Sequence, residues 1–389
     1  MGFLLALTCV LILYGTLYPF SFDFGLHGEG VFALLMASAQ ERASRGDILA
    51  NVILFLPFGF FAMQRILPRA PKPARLFFVV VAGAMFSFGI EWAQTGLPGR
   101  VTSVYDLATN TAGSLLGAVL GWHDWRQKLS GLRPGKRPPA LFPLLLLGAW
   151  LGGRLFPFVP TLDVQNVKDA LKPLFYAGFS PLDALRDFII TMVVCRLVRA
   201  LTAPGNIRTA ATLLPLAVIA VKPFIEGGII PQIEGWVISQ AGIVGTLLGI
   251  AVWWGIVGRM RRNAVILVLL LMTQIVIQGL EPFVFSPRPA SLFSVIPFIG
   301  FIQGSMIANV MSFIEKIFFY GSLLWLLVKA SDNLSFSLLC SVALLTVLEF
   351  MQMFLPGRAS EITDPLLVAI LGLVLHFLDL RGNQQCRSD

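Results

Sequence analysis

The chain is a succession of long apolar runs broken by short polar stretches. Runs of about twenty apolar residues, enough to cross a bilayer as a helix, fall at 3–20, 47–66, 75–95, 103–122, 139–158, 181–201, 209–226, 236–257, 262–281, 306–329, 334–354 and 364–379. Apolar residues follow one another without alternation, which argues against the strands of a membrane β-barrel. The pattern predicts an all-α polytopic membrane protein with about 12 transmembrane helices. The stretches 29–43, 161–176 and 290–303 are longer and moderately apolar, and they read as short amphipathic segments lying in the interface.

Polar residues recur at matching places. The stretch from Glu91 to Asp106 is copied from Glu349 to Asp364: Glu91, Gln94, Leu97, Pro98, Gly99, Arg100 and Asp106 answer to Glu349, Gln352, Leu355, Pro356, Gly357, Arg358 and Asp364. At the same offset Asn51 and Phe55 answer to Asn309 and Phe313, with Ser305 in place of Asp47. A weaker middle copy has Asp183 and Asp187 at the spacing of Asp47 and Asn51, and Gly245 and Gly249 echoing Gly113 and Gly117. The expected organisation is three parallel repeats of a four-helix unit at 1–125, 138–258 and 262–380, followed by a tail at 381–389. An even number of helices per unit gives all three the same orientation.

Composition strengthens the membrane reading. The chain is 56% hydrophobic and 13% charged, with a mean hydropathy of +0.80, where a soluble domain carries about a quarter charged residues. The net charge of +8 would point a soluble protein towards nucleic acid. Here the positive-inside rule accounts for it. Clusters such as Arg65, Arg69, Lys72 and Arg75, or Arg126, Lys128, Arg133, Lys136 and Arg137, fall on one side if both termini are cytoplasmic. Residues 1–20 lack a basic start and read as the first spanning helix rather than a cleaved signal. Cys9, Cys195, Cys340 and Cys386 have no CxxC spacing, and His27, His123 and His376 are scattered, so neither a disulfide nor a metal site is expected. No Walker loop, zinc motif or Ser-His-Asp set is present, and no cofactor is expected.

With this topology every repeated polar motif falls at the outer leaflet: Asp47, Asn51, Glu91, Gln94, Arg100, Asp106 and Asn110 in the first unit, and Asn309, Glu349, Gln352, Arg358 and Asp364 in the third. Two readings stand side by side. In the structural one, the aspartates cap helix N-termini, Arg100 pairs with Asp106 or Glu91, and the asparagines are interhelical glue. In the functional one, the arginines and acids hold a polar head group or surface sugar, since a guanidinium suits carboxylate and phosphate. A second set of charges is buried within helices: Asp183, Arg186, Asp187, Glu315 and Lys316. Neighbours on a helix point about 100° apart, so Glu315 and Lys316 each need a partner on another helix. Arg186, Asp183 and Asp187 are the candidates.

The first unit resembles the VanZ-like family of bacterial membrane proteins. The resemblance rests on Asp47, Asn51, Phe55, Pro57 and Gly59 on one helix. It continues through Glu91, Gln94, Pro98, Arg100, Asp106, Asn110, Gly113 and Gly117 on the next two. It is specific over 14–121, partial over 281–378, where Glu315 and Ile317 replace the Pro and Gly, and weak over 150–255. It implies a multi-pass protein of the bacterial plasma membrane, acting in the cell envelope, in a family named for resistance to the glycopeptide teicoplanin. The leading expectation is a non-enzymatic factor that binds or shields a surface or lipid-linked saccharide, or a lipophilic glycopeptide, with membrane lipids as its surroundings and no nucleic acid. The alternatives are an enzyme of lipid-linked glycan or exopolysaccharide assembly, with Glu91 or Asp106 as acid or base, and a secondary transporter using the buried charges.

Overall fold

The computed structural model describes residues 2–23, 31–38, 45–98, 102–122, 141–156, 160–161, 163–176, 178–202, 207–225, 238–302 and 306–385. It is all-α. Among these residues extended pairing is limited to two single bridges, Pro160 with Ile225 and Ser294 with Glu361. The helices are α1 (Gly2–Leu17), α2 (Val31–Ser38), α3 (Arg45–Arg65), α4 (Lys72–Gln94), α5 (Val104–Trp122), α6 (Leu141–Leu155) and α7 (Val164–Leu171). They continue with α8 (Pro181–Leu201), α9 (Ile207–Val221), α10 (Gln240–Gly255), α11 (Asn263–Leu280), α12 (Met306–Ser331), α13 (Leu334–Gln352) and α14 (Thr363–Gln385).

A helix falls on each of the apolar runs. Among the described residues six helical segments are long and apolar enough to cross a membrane: 47–65, 72–94, 240–259, 263–280, 308–331 and 334–352. Four shorter helices are also apolar, at 2–17, 141–155, 209–224 and 363–378. The remaining two runs form α5 and α8, which carry Asp106 and Asn110, and Asp183, Arg186 and Asp187. Only 28% of the α4 window is buried within the protein, and Phe77, Met85 and Trp92 on that helix stand exposed. An apolar helix with most of its apolar surface uncovered suits lipid rather than water. Two of the segments expected to lie in the interface contain short helices, α2 and α7, and 299–302 forms a single turn.

Four helix starts are sealed by side chains, which matters where no water can satisfy free N–H groups. Asp163 accepts from the N–H of Gln165 at 2.9 Å to open α7. Ser180, followed by Pro181, caps α8, and Ser239 caps α10 through the N–H of Gly242 at 3.0 Å. Asn333 accepts from Phe336 at 3.0 Å to open α13.

The chain divides into two compact bodies, one of 1–125 with 300–310, the other of 126–299 with 311–389. In the first, α3 and α5 lie in backbone contact. A Cβ at Gly117 would sit 2.0 Å from the carbonyl oxygen of Leu56, and one at Gly59 would sit 2.0 Å from that of Ser114. Small residues at such a seam let two helices approach without hydrophobic driving force. Beside the seam Phe58 stacks on Phe86, with ring centroids 5.4 Å apart, and Phe55, Met63 and Ile90 complete the core.

The second body repeats the device between α8 and α10. A Cβ at Gly245 would meet the carbonyl of Ala184 at 2.2 Å, and one at Gly249 that of Phe188 at 2.8 Å. The register of these contacts sets Ala184 and Phe188 where Val52 and Leu56 sit in the first body. Asp183 is therefore the positional counterpart of Asn51, one turn away from the pairing that the Asp-x-x-x-Asn spacing indicates. The core of this body gathers Phe142, Leu146, Ile189, Met192, Trp253 and Trp325.

Candidate functional site

In the first body the polar residues converge where α3, α4 and α5 meet. Helix α4 ends at Gln94, and Thr95, Gly96 and Leu97 wind into the turn that leads to α5. Ser103 caps α5, its Oγ accepting from the N–H groups of Tyr105 at 3.2 Å and Asp106 at 3.4 Å. Glu91, 1% exposed, holds this hairpin closed. Its Oε2 accepts from the N–H of Ser103 at 2.9 Å, and its carbonyl accepts from the hydroxyl of Thr102 at 3.3 Å. Asp106 lies near enough to Glu91 for their charges to interact. Asn51 reaches across from α3 and donates through Nδ2 to Asp106 Oδ1 at 2.8 Å. One turn on, Asn110 donates to Ser87 Oγ of α4 at 3.0 Å. Its Oδ1 is buried and has no hydrogen-bond partner among the described residues. Gln94 points the other way, donating to the carbonyl of Thr16 at the end of α1 at 3.0 Å. Asp47 is exposed in the first turn of α3. Arg100 lies outside the described residues, as do Ser305 and the middle-copy stretch 226–237.

The C-terminal hairpin makes the same bonds. Glu349 Oε2 accepts from the N–H of Glu361 at 2.7 Å, and its carbonyl accepts from the Ser360 hydroxyl at 2.5 Å. Gln352 donates to the carbonyl of Gly279 at the end of α11 at 3.0 Å. The N–H of Leu355 returns to Gln352 at 3.0 Å, as that of Leu97 does to Gln94 at 3.0 Å. Ahead of each hairpin, Ser286 N–H donates to Phe354 at 2.7 Å and Asp23 N–H to Gly96 at 2.6 Å.

The difference lies in what meets the aspartate. Asp364, 6% exposed, accepts from Lys316 Nζ at 2.6 Å and from the Tyr320 hydroxyl. Lys316 occupies the position that Phe58 has in the first copy. Arg358 turns to the exposed end of α11. Its Nη2 donates to the carbonyls of Gln278 and Glu281, each at 3.0 Å, and its Nε to that of Glu281 at 3.3 Å. A guanidinium at a helix C-terminus satisfies orphan carbonyls and matches the negative end of the dipole. Asn309 lies half-buried in the first turn of α12.

The buried charges find partners on other helices. Arg186 pairs with Glu315, and Arg154 at the end of α6 pairs with Asp187. Lys316 takes Asp364 of α14 rather than Arg186, Asp183 or Asp187, because the helix rotation that sends Glu315 to α8 sends its neighbour elsewhere. Asp183 is exposed and caps with Ser180. Sequence reasoning missed Tyr320, Ser103, Ser87 and Arg154. The spacing of Tyr320 one turn beyond Lys316 carried a signal for the first; nothing local marks Ser87.

Residues 3–123 match the family model described as VanZ/LLP1. No curated protein and no solved structure matches the chain. The N-terminal segment is thus a VanZ/LLP1 family domain, and the protein is a VanZ-like, multi-pass membrane protein with several candidate spans.

Proposed function

We propose that this VanZ-like protein is a cell-envelope factor of a bacterial plasma membrane, crossing it about twelve times with both termini cytoplasmic. On this reading three parallel four-helix units occupy 1–125, 138–258 and 262–380. The shared hydrogen bonds of the two hairpins and the shared glycine seams support a repeated unit. The first unit binds the hydroxyl-rich end of a surface or lipid-linked saccharide, or of a lipophilic glycopeptide, at the outer leaflet.

The observation that carries the binding reading is Asn110 Oδ1, one turn along α5 from Asp106, a buried acceptor without a partner among the described residues. A buried acceptor left unmade costs about 1–3 kcal/mol, and a ligand hydroxyl would supply the missing donor. In the third unit Lys316 and Tyr320 already donate to the equivalent carboxylate, so that copy is the structural one and the first is the binding one. The test uses full-length protein in nanodiscs with a polyprenyl-diphosphate-linked disaccharide as probe. Glu91→Gln and Asn110→Leu are expected to weaken binding about tenfold or more, and Glu349→Gln to leave it unchanged. Wild-type affinity in both first-unit variants would remove the basis of the reading.

The proximity of Glu91 and Asp106 favours one second reading, acid–base chemistry on a lipid-linked glycan. It requires turnover of such a substrate that stops in Glu91→Gln while binding persists; absence of turnover in the wild type excludes it.

A further inference from the structure

Outside the Asn51–Asp106 group, the second body holds a cavity of about 40 Å³ whose wall includes Trp150 and Arg154 of α6, Arg186 of α8, and Glu315 and Phe318 of α12. The lining carries two guanidiniums and one carboxylate. Each guanidinium also has a carboxylate partner, Arg154 with Asp187 and Arg186 with Glu315. Two N–H groups of the lining residues are buried and have no acceptor among the described residues: Arg186 Nε and Trp150 Nε1. Trp150 is 7% exposed, and an indole N–H can only donate. The Nη2 of the same Arg186 is committed to Glu315, so the orphaned Nε is a separate donor. The unmet demand is therefore for acceptors, on a wall that carries two guanidiniums and one carboxylate.

The space exceeds the about 10–15 Å³ that one water needs, and it is large enough for a small anion. It is also reachable, since the side chains of Arg154, Arg186 and Glu315 retain 20%, 21% and 35% exposure. We propose that this cavity is a binding site for a small inorganic anion, of chloride or phosphate size, which accepts hydrogen bonds from Arg186 Nε and Trp150 Nε1. The site is independent of the saccharide reading and lies on other helices.

The experiment measures the thermal unfolding midpoint of the full-length protein in nanodiscs of zwitterionic lipid. Sodium chloride and sodium phosphate are titrated against sodium gluconate at constant ionic strength. The expected result is a saturable rise with chloride or phosphate that gluconate does not give. Trp150→Phe removes the indole N–H and keeps an aromatic ring. It is expected to raise the half-saturating concentration about tenfold or more, as the loss of a hydrogen bond to a charged group requires. Should that variant fail to fold, Arg186→Lys keeps the charge and removes the Nε donor, with the same expected shift. A second series in nanodiscs containing anionic lipid separates a dissolved ion from a lipid head group. A rise already present there, and no further response to chloride or phosphate in either lipid, would assign the cavity to lipid and overturn the inorganic-anion site. An equal rise in gluconate, no rise at all, or an unshifted response in the folded variant overturns the proposal as well.

Discussion

The two hairpins share a scaffold and differ in chemistry. In both, a buried glutamate clamps the residues that lead into the next helix, and a glutamine ties the turn to the end of another helix. In the N-terminal copy the aspartate meets the neutral amide of Asn51; in the C-terminal copy it meets an ammonium and a phenol. A carboxylate neutralised from within its own chain is complete as a structural element. In both copies the aspartate lies within electrostatic reach of the clamping glutamate, Asp106 with Glu91 and Asp364 with Glu349, so the contrast rests on the groups that donate to it. Backbone-directed bonds therefore fix the shape of the hairpin, and two helix positions, Lys316 and Tyr320 against Phe58 and Ala62, separate the copies.

The comparison breaks most readily at the aspartates. Asp364→Ala removes the acceptor of both the Lys316 ammonium and the Tyr320 hydroxyl, two hydrogen bonds to a charged group worth about 1.5–3 kcal/mol each. Asp106→Ala removes a bond to a neutral amide and should cost about 1–3 kcal/mol. Unfolding midpoints of the two full-length variants, measured side by side, check the order; equal losses would mean that the copies are electrostatically alike. Next comes the seam beside the first hairpin. Gly117→Ala brings a methyl group to 2.0 Å from the Leu56 carbonyl and should cost about 1–3 kcal/mol through displaced helices, read in the same assay. The glutamine ties sharpen the shared part: Gln94→Leu and Gln352→Leu each lose one bond to a helix-end carbonyl and should cost about 1 kcal/mol alike. The smallest effect belongs to Arg358→Ala, whose exposed cap is worth about 0.3–1 kcal/mol. A loss of ligand binding in that variant, with stability intact, would return Arg358 to a binding role.

Helix placement was legible because hydropathy is a local property, and every apolar run received its helix. The hairpin correspondence was legible too, since the residues that make its bonds are the ones copied: Glu91 with Glu349, and Gln94 with Gln352. Partner choice was less so. Lys316 and Glu315 sit side by side in sequence, and only the rotation of α12 against its neighbours decides that one reaches Asp364 and the other Arg186. Arg358 read as a ligand for carboxylate or phosphate because a guanidinium serves those groups and backbone carbonyls equally well. The aspartate spacing on α8 and the glycine contacts of α10 give alignments with the first body that differ by one turn, because the contacts depend on a second helix that the spacing does not describe.

The bond from Gln94 to Thr16 has a bearing on how the protein is made. The last carbonyls of α1 are acceptors that the helix itself cannot satisfy, and the amide that reaches one of them belongs to α4, synthesised much later. Until Gln94 leaves the ribosome, that end of α1 depends on water or on the insertion machinery. Gly279 stands in the same relation to Gln352. Assembly is thereby timed by the chain's own order, with the opening helix of each hairpin-bearing segment fastened by a later one.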